Sequence, residues 1–195
     1  KVLSYYKRLV NLPYKKNLLE KQKFFQFFLL LFCIITYSQE KEMEFLVPVI
    51  QSDIVIDGIG NEKQWDKTEW QSEFWLWRPN DSLKASKQTR FKILRSEKNL
   101  FILIDLFTDG TKFVTPSLRR DFDTFGGDTI TLLFDTFNDG TNAFSFTTNP
   151  LGLKKEGLIS GGNQNYRTDR NYSWDTKWLV ESKIYEDRYS VEIKI

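Results

Sequence analysis

Apolar and polar residues alternate along most of the chain after residue 48, and period-two alternation marks strands with one face in a core. Over residues 128–135, Ile130, Leu132 and Phe134 share one face, with Thr129, Thr131 and Leu133 on the other. Residues 143–148 repeat the pattern with Phe144 and Phe146 inward. Asn138-Asp139-Gly140 lies between them and reads as a hairpin turn, because Gly tolerates positive φ while Asn and Asp bond their own backbone. Upstream, Ile54 and Ile56 predict a strand over 50–58, and the spacing of Glu62, Trp65, Asp66 and Trp70 predicts a short helical turn with Trp65 as a core plug. The aromatic run 74–77 is strand-like and closes at Arg78-Pro79. Residues 87–94 and 100–107 predict a strand pair around a turn at 96–99, the second strand apolar on both faces apart from Asp105. A strand over 153–159, a polar loop over 161–173 and a last hairpin around Glu186-Asp187 complete the series. Short, regularly spaced strands with little helix predict an all-β protein, an antiparallel β-sandwich of jelly-roll or immunoglobulin-like type. The terminal run 189–195 is itself an alternating strand, which predicts a sandwich truncated at its C-terminal side.

The first 38 residues break this pattern. Lys21 and Lys23 precede an apolar run over 24–35, followed by Thr36-Tyr37-Ser38. A charged region, a short apolar core and small residues near a cleavage point predict a secretory leader cut near Ser38. The run is shorter than the roughly 20 residues of a spanning helix. Residues 39–47 then read as a polar linker and 48–195 as the sandwich. Residues 39–195 carry 21 Lys or Arg against 25 Asp or Glu, a net charge of about −4, so the basic balance of the whole chain belongs to the leader. That charge gives no footprint for a nucleic acid, and no transmembrane helix is expected in the mature domain. The chain has no His and a single Cys, Cys33. Catalytic triads, His-ligated zinc and His-ligated haem are therefore excluded.

Several ordered motifs resemble a known family. Ile56-Asp57-Gly58 with Glu62 and Trp65, the strand pair through residues 89–109, the stretch 119–152 and the Trp174-Asp175-x-x-Trp178 element are together similar to the carbohydrate-binding module family 9-like domain. The resemblance is to a branch found at the N-terminus of large secreted or envelope proteins of Gram-negative bacteria, ahead of an uncharacterised C-terminal region. It implies a β-sandwich that binds an oligo- or polysaccharide, sometimes holds structural calcium, and serves carbohydrate catabolism. In sugar-binding members an aromatic before the central strand stacks on the sugar, and Phe125 stands there where they have Trp. A strand carboxylate of theirs corresponds to Thr131, and an Arg of the next strand falls near Ser145.

Flat aromatics against C–H faces, with polar groups aimed at hydroxyls, make sugar sites. Candidates are Phe125, Trp75, Trp77, Trp174 and Trp178, each with core packing as its alternative. Arg167, in a loop with Gln164, Tyr166 and Arg170, is a candidate polar contact. Asp121, Asp123, Asp128, Asp135 and Asp139 crowd one region and suit either calcium or turn capping. Two further functions stay open. One is a structural domain that docks on its own C-terminal region; the other is part of a glycoside hydrolase acting through paired carboxylates.

Overall fold

The computed structural model describes residues 21, 23–27, 44–163 and 169–195. The chain divides into two compact units, Lys1–Phe45 and Leu46–Ile195. In the first, residues 21 and 23–27 are helical and exposed. The remainder of the expected leader, including most of its apolar run, lies outside the described residues. No helix among the described residues is long and apolar enough to cross a membrane.

The second unit is nearly all β. Its strands are β1 (Thr89–Arg95), β2 (Leu100–Phe107), β3 (Ile130–Phe134), β4 (Ala143–Thr148), β5 (Lys154–Ile159), β6 (Arg170–Asn171), β7 (Leu179–Ile184) and β8 (Arg188–Lys194). They form two antiparallel four-stranded sheets, ordered β1-β2-β8-β7 and β3-β4-β5-β6. Ile102, Ile104, Tyr189, Val191 and Ile193 from the first sheet bury against Phe146 of the second, with Trp178 and Val180 completing the core. Phe144 packs tilted against Trp174 at 5.3 Å between centroids, and Phe146 meets Trp174 and Trp178 edge-on at 6.0 and 5.3 Å. This is the inner side of both sheets, reached by the alternate residues that the period-two pattern selects.

The outer side of the first sheet has a second core. Phe101, Leu103 and Leu94 bury there against Ile50, Ile54 and Trp65. The segment supplying these residues is not the strand expected over 50–58. It touches β1 through single bridges, Val49 to Arg95 and Gln71 to Phe91, and a 3-10 turn spans Lys63–Lys67. The period-two pattern there has another cause: Ile50 and Ile54 alternately face the sheet beneath them, while backbone N–H groups find a side-chain acceptor instead of a neighbouring strand. That acceptor is Glu192 on β8, which is fully buried. It accepts hydrogen bonds from the N–H of Asp57 and of Gly58, both at 2.9 Å, and from Trp65 Nε1 at 3.1 Å. Gly58 adopts φ +80°, and a Cβ there would lie 2.7 Å from the Ser182 backbone. The Ile-Asp-Gly…Trp motif is thus a clasp closing the N-terminal segment over the sheet. Asp105, the polar interruption of β2, takes two hydrogen bonds from its register partner Arg90 at 2.7 and 2.8 Å.

Candidate functional site

The outer side of the second sheet gathers the positions that the family resemblance singles out. Register pairs Thr131 with Thr147, and Thr147 with Lys155; it pairs Leu133 with Ser145, and Ser145 with Gly157. Pleating puts all six on one face, where Thr131 and Leu133 of β3 are exposed and Ser145, Thr147, Lys155 and Gly157 are buried. Thr131 and Thr147 share a hydrogen bond of 2.9 Å between their hydroxyls. Lys155 Nζ donates to the Phe122 carbonyl at 3.0 Å and lies 4.1 Å from the Tyr172 ring centroid. Tyr172 approaches the sheet because Gly157 has no side chain: a Cβ there would come within 2.9 Å of its ring. Beyond this row, Leu133, Ala143, Ile159 and the turn residues Gly140 to Asn142 line a shallow hollow of about 320 Å³.

Phe125 stands in the loop that enters β3. Its N–H donates to Asp123 Oδ1 at 3.0 Å, and the side chain is 89% exposed. Its placement favours the exposed alternative over core packing. The other aromatic candidates divide. Trp178 is buried, with Nε1 donating to Glu156 at 3.1 Å, and Trp174 packs on Phe144 and Phe146. Burial withdraws Trp178 from any surface ligand, whereas Trp174 packs against the core with part of its surface exposed. Trp75 and Trp77 are 58% and 81% exposed on a hairpin arm away from both cores. Arg167 lies outside the described residues, as do Gln164 and Tyr166. Lys155, Thr147 and Tyr172 were not legible as site residues. Lys155 and Thr147 follow the strand alternation, but only the register shows that they meet.

The acidic residues near the β3–β4 hairpin act on the backbone. Asp135 accepts from the N–H of Phe137, Asp139 and Gly140 at 3.2, 3.3 and 2.7 Å. Asp139 accepts from the N–H of Thr141 and of Asn142, both at 2.8 Å, and the Asn142 side chain and these amides hold its carboxyl well below the usual range. Asp128 accepts from Val114 N–H at 2.7 Å. The bonds of Asp135 and Asp139 are turn caps, and that of Asp128 ties two loop segments together.

The described carboxylates that do converge as possible metal ligands are Asp57, Glu62 and Glu192, whose oxygens lie within 4.8 Å of one another. Oxygen donors suit a hard cation. The set does not fit calcium, however. Both Glu192 oxygens are committed to the three N–H donors of the clasp, so the buried member of the set is turned to the backbone and not to a cation. Burial pushes the Glu192 carboxyl up to about 7, with Glu62 reinforcing the shift and the N–H donors opposing it.

A second carboxyl pair is Glu156 and Asp175. Burial raises the Glu156 carboxyl, while its hydrogen bonding with Glu156 and with Arg120 lowers that of Asp175. Glu156 is 2% exposed, and its two oxygens accept from Arg120 and Trp178. Both Glu156 oxygens are thus engaged, so the pair reads as an ionic network with one buried member and not as an acid–base couple.

Comparison with solved structures defines the class of fold. A protein of Bacteroides uniformis, provisionally named as carbohydrate-binding, superposes with TM-score 0.55 at 11% identity, over 76% of this chain and 70% of that one. A family 9 carbohydrate-binding module of Caldicellulosiruptor kristjanssonii, solved with cellotriose, superposes with TM-score 0.50 at 15% identity, over 77% of this chain and 66% of that one. The chain therefore has a family 9-like carbohydrate-binding-module fold. No family profile and no curated sequence matches it.

Proposed function

We propose that the chain is a non-catalytic carbohydrate-binding module whose ligand lies on the outer face of the β3-β4-β5-β6 sheet. The observation that carries this reading is Phe125, 89% exposed in the loop that leads into β3, the strand whose Thr131 and Leu133 are exposed on that face. A pyranose ring presents C–H groups to an aromatic and hydroxyls around its edge. Phe125 takes the apolar face, and the exposed Thr131 hydroxyl on β3 exchanges hydrogen bonds with the edge. The cellotriose bound by the Caldicellulosiruptor module supports an oligosaccharide as the ligand class.

Thr131 is neutral where sugar-binding members carry a carboxylate. Charge-assisted hydrogen bonds are about twice as strong as neutral ones, so affinity here is expected to be weak. The leader pattern of residues 1–38 supports export to the periplasm, the outer membrane or the cell exterior. Mass spectrometry of the exported product should then find an N-terminus near Gln39.

Calorimetric titration of the folded protein against a panel of soluble oligosaccharides tests the site. Binding that is lost in Phe125→Ala and strengthened in Phe125→Trp, which restores the larger ring, is the expected result. A folded protein that binds no sugar of the panel would sink the sheet-face site.

A further inference from the structure

A second surface lies outside that face. Residues 74–77 and 83–85 form a small hairpin, with Leu76 N–H donating to the Leu83 carbonyl at 2.8 Å and Ala85 N–H to the Phe74 carbonyl at 2.9 Å. Trp75 is bridged to Lys84. Because paired residues share a face and neighbours alternate, Phe74, Leu76, Leu83 and Ala85 form one side. Phe74 on that side packs edge-on against Phe91 of β1, 5.9 Å between centroids. The hairpin therefore has its own apolar attachment to the sandwich. Trp75 and Trp77 project from the other side, 58% and 81% exposed, and they contribute to neither core.

Cations steady both rings. The Arg78 guanidinium lies 4.5 Å from the Trp77 centroid and Lys84 Nζ lies 5.8 Å from that of Trp75. Residues two apart on an extended chain stand about 7 Å apart, so the indoles form a short strip along the strand.

The chemistry around the strip selects among partners. Glu73, Arg78, Asp81 and Lys84 sum to zero charge, and Lys84 is paired with Glu73 at 2.9 Å. An anionic lipid surface or a phosphate backbone needs an excess of cations. Two indoles offer roughly 300–500 Å², below the roughly 1,000 Å² of a specific protein interface. A neutral ligand with flat C–H faces in linear repeat meets both limits. We infer that Trp75 and Trp77 form a second glycan-contact strip, which engages a neighbouring stretch of the same polysaccharide chain or surface as the sheet face. The ligand class rests on the proposed function; the place is independent of the Phe125 face.

Two attachments to one polymer raise retention without raising affinity for a short fragment. The test compares the full chain with W75A/W77A, W75F/W77F and F125A. Each is checked for folding by near-ultraviolet circular dichroism, then measured for retention on insoluble cellulose, xylan, mannan and chitin and for affinity to soluble oligosaccharides. Retention should fall by about tenfold or more in W75A/W77A, return in W75F/W77F, and leave soluble affinity unchanged. F125A should instead lose soluble affinity. Retention that depends on Trp75 and Trp77 without any soluble binding would uphold the strip and remove the sheet-face site. Unchanged retention in W75A/W77A, retention on none of the polymers, or Trp-dependent sedimentation with phosphatidylglycerol vesicles in place of polysaccharide would overturn the strip.

Discussion

Glu192 shows how one side chain organises a segment 127 to 135 positions away. Its carboxylate gathers the Asp57 and Gly58 amides and the Trp65 indole, and burial lifts its proton affinity to about pH 7. An unfolded glutamate releases its proton near 4.5. Between those values the folded chain binds more protons than the unfolded one, so stability falls as pH rises. Thermal melts should show a falling melting temperature from pH 5 to pH 8. Glu192→Gln should flatten part of that slope, and the raised carboxyl of Glu156 accounts for a further part in the same direction. Trp65 fills the same clasp at 2% exposure. Trp65→Ala should cost about 3–5 kcal/mol in denaturant unfolding. Trp65 was legible as a core residue from its spacing. Glu192 was not, because a glutamate at an alternating position normally faces water.

At the level of strands, the β1–β2 pair shows what an interruption of the apolar pattern can mean. Asp105 breaks an otherwise apolar strand, yet it sits at 4% exposure because Arg90 pairs with it across the ladder and Trp70 covers the guanidinium at 4.1 Å. Arg90→Met would remove that partner and leave Arg188 at 3.7 Å as the remaining cation. The expected loss is about 1–3 kcal/mol, the cost of an undersatisfied buried group, read from chemical denaturation. Asp105→Asn with Arg90→Met should recover part of it, since the buried charge is gone.

Across the whole unit, the two cores share the first sheet. β2 and β8 are buried on both sides, whereas the hairpin at 74–85 attaches by one face. Local opening follows burial and hydrogen bonding. Amide exchange should therefore be slowest in β2 and β8 and fastest in residues 74–85. Comparable protection across these segments would contradict the layered arrangement. The proposed functions divide along the same line: the sheet face rests on paired strands, and the strip on the hairpin.

By itself the sequence determined most strands, their turns and their inward residues. Burying one side of a pleated chain imposes period two wherever a strand lies on a core, and Gly, Asn and Asp mark reversals by local backbone chemistry. It also carried the clasp motif and the loop aromatic Phe125, whose exposure the structure decided. Only the tertiary structure decided which equally apolar rings meet water: Trp178 is buried in the core and Trp174 half-buried against it, while Trp75 and Trp77 stand outside it. It also decided that the 50–58 segment packs across a sheet instead of joining one, since alternate burial and strand pairing leave the same pattern. The union of Thr131, Thr147 and Lys155 on one face depends on register between β3, β4 and β5, which pairing and packing set together, beyond the reach of any local pattern.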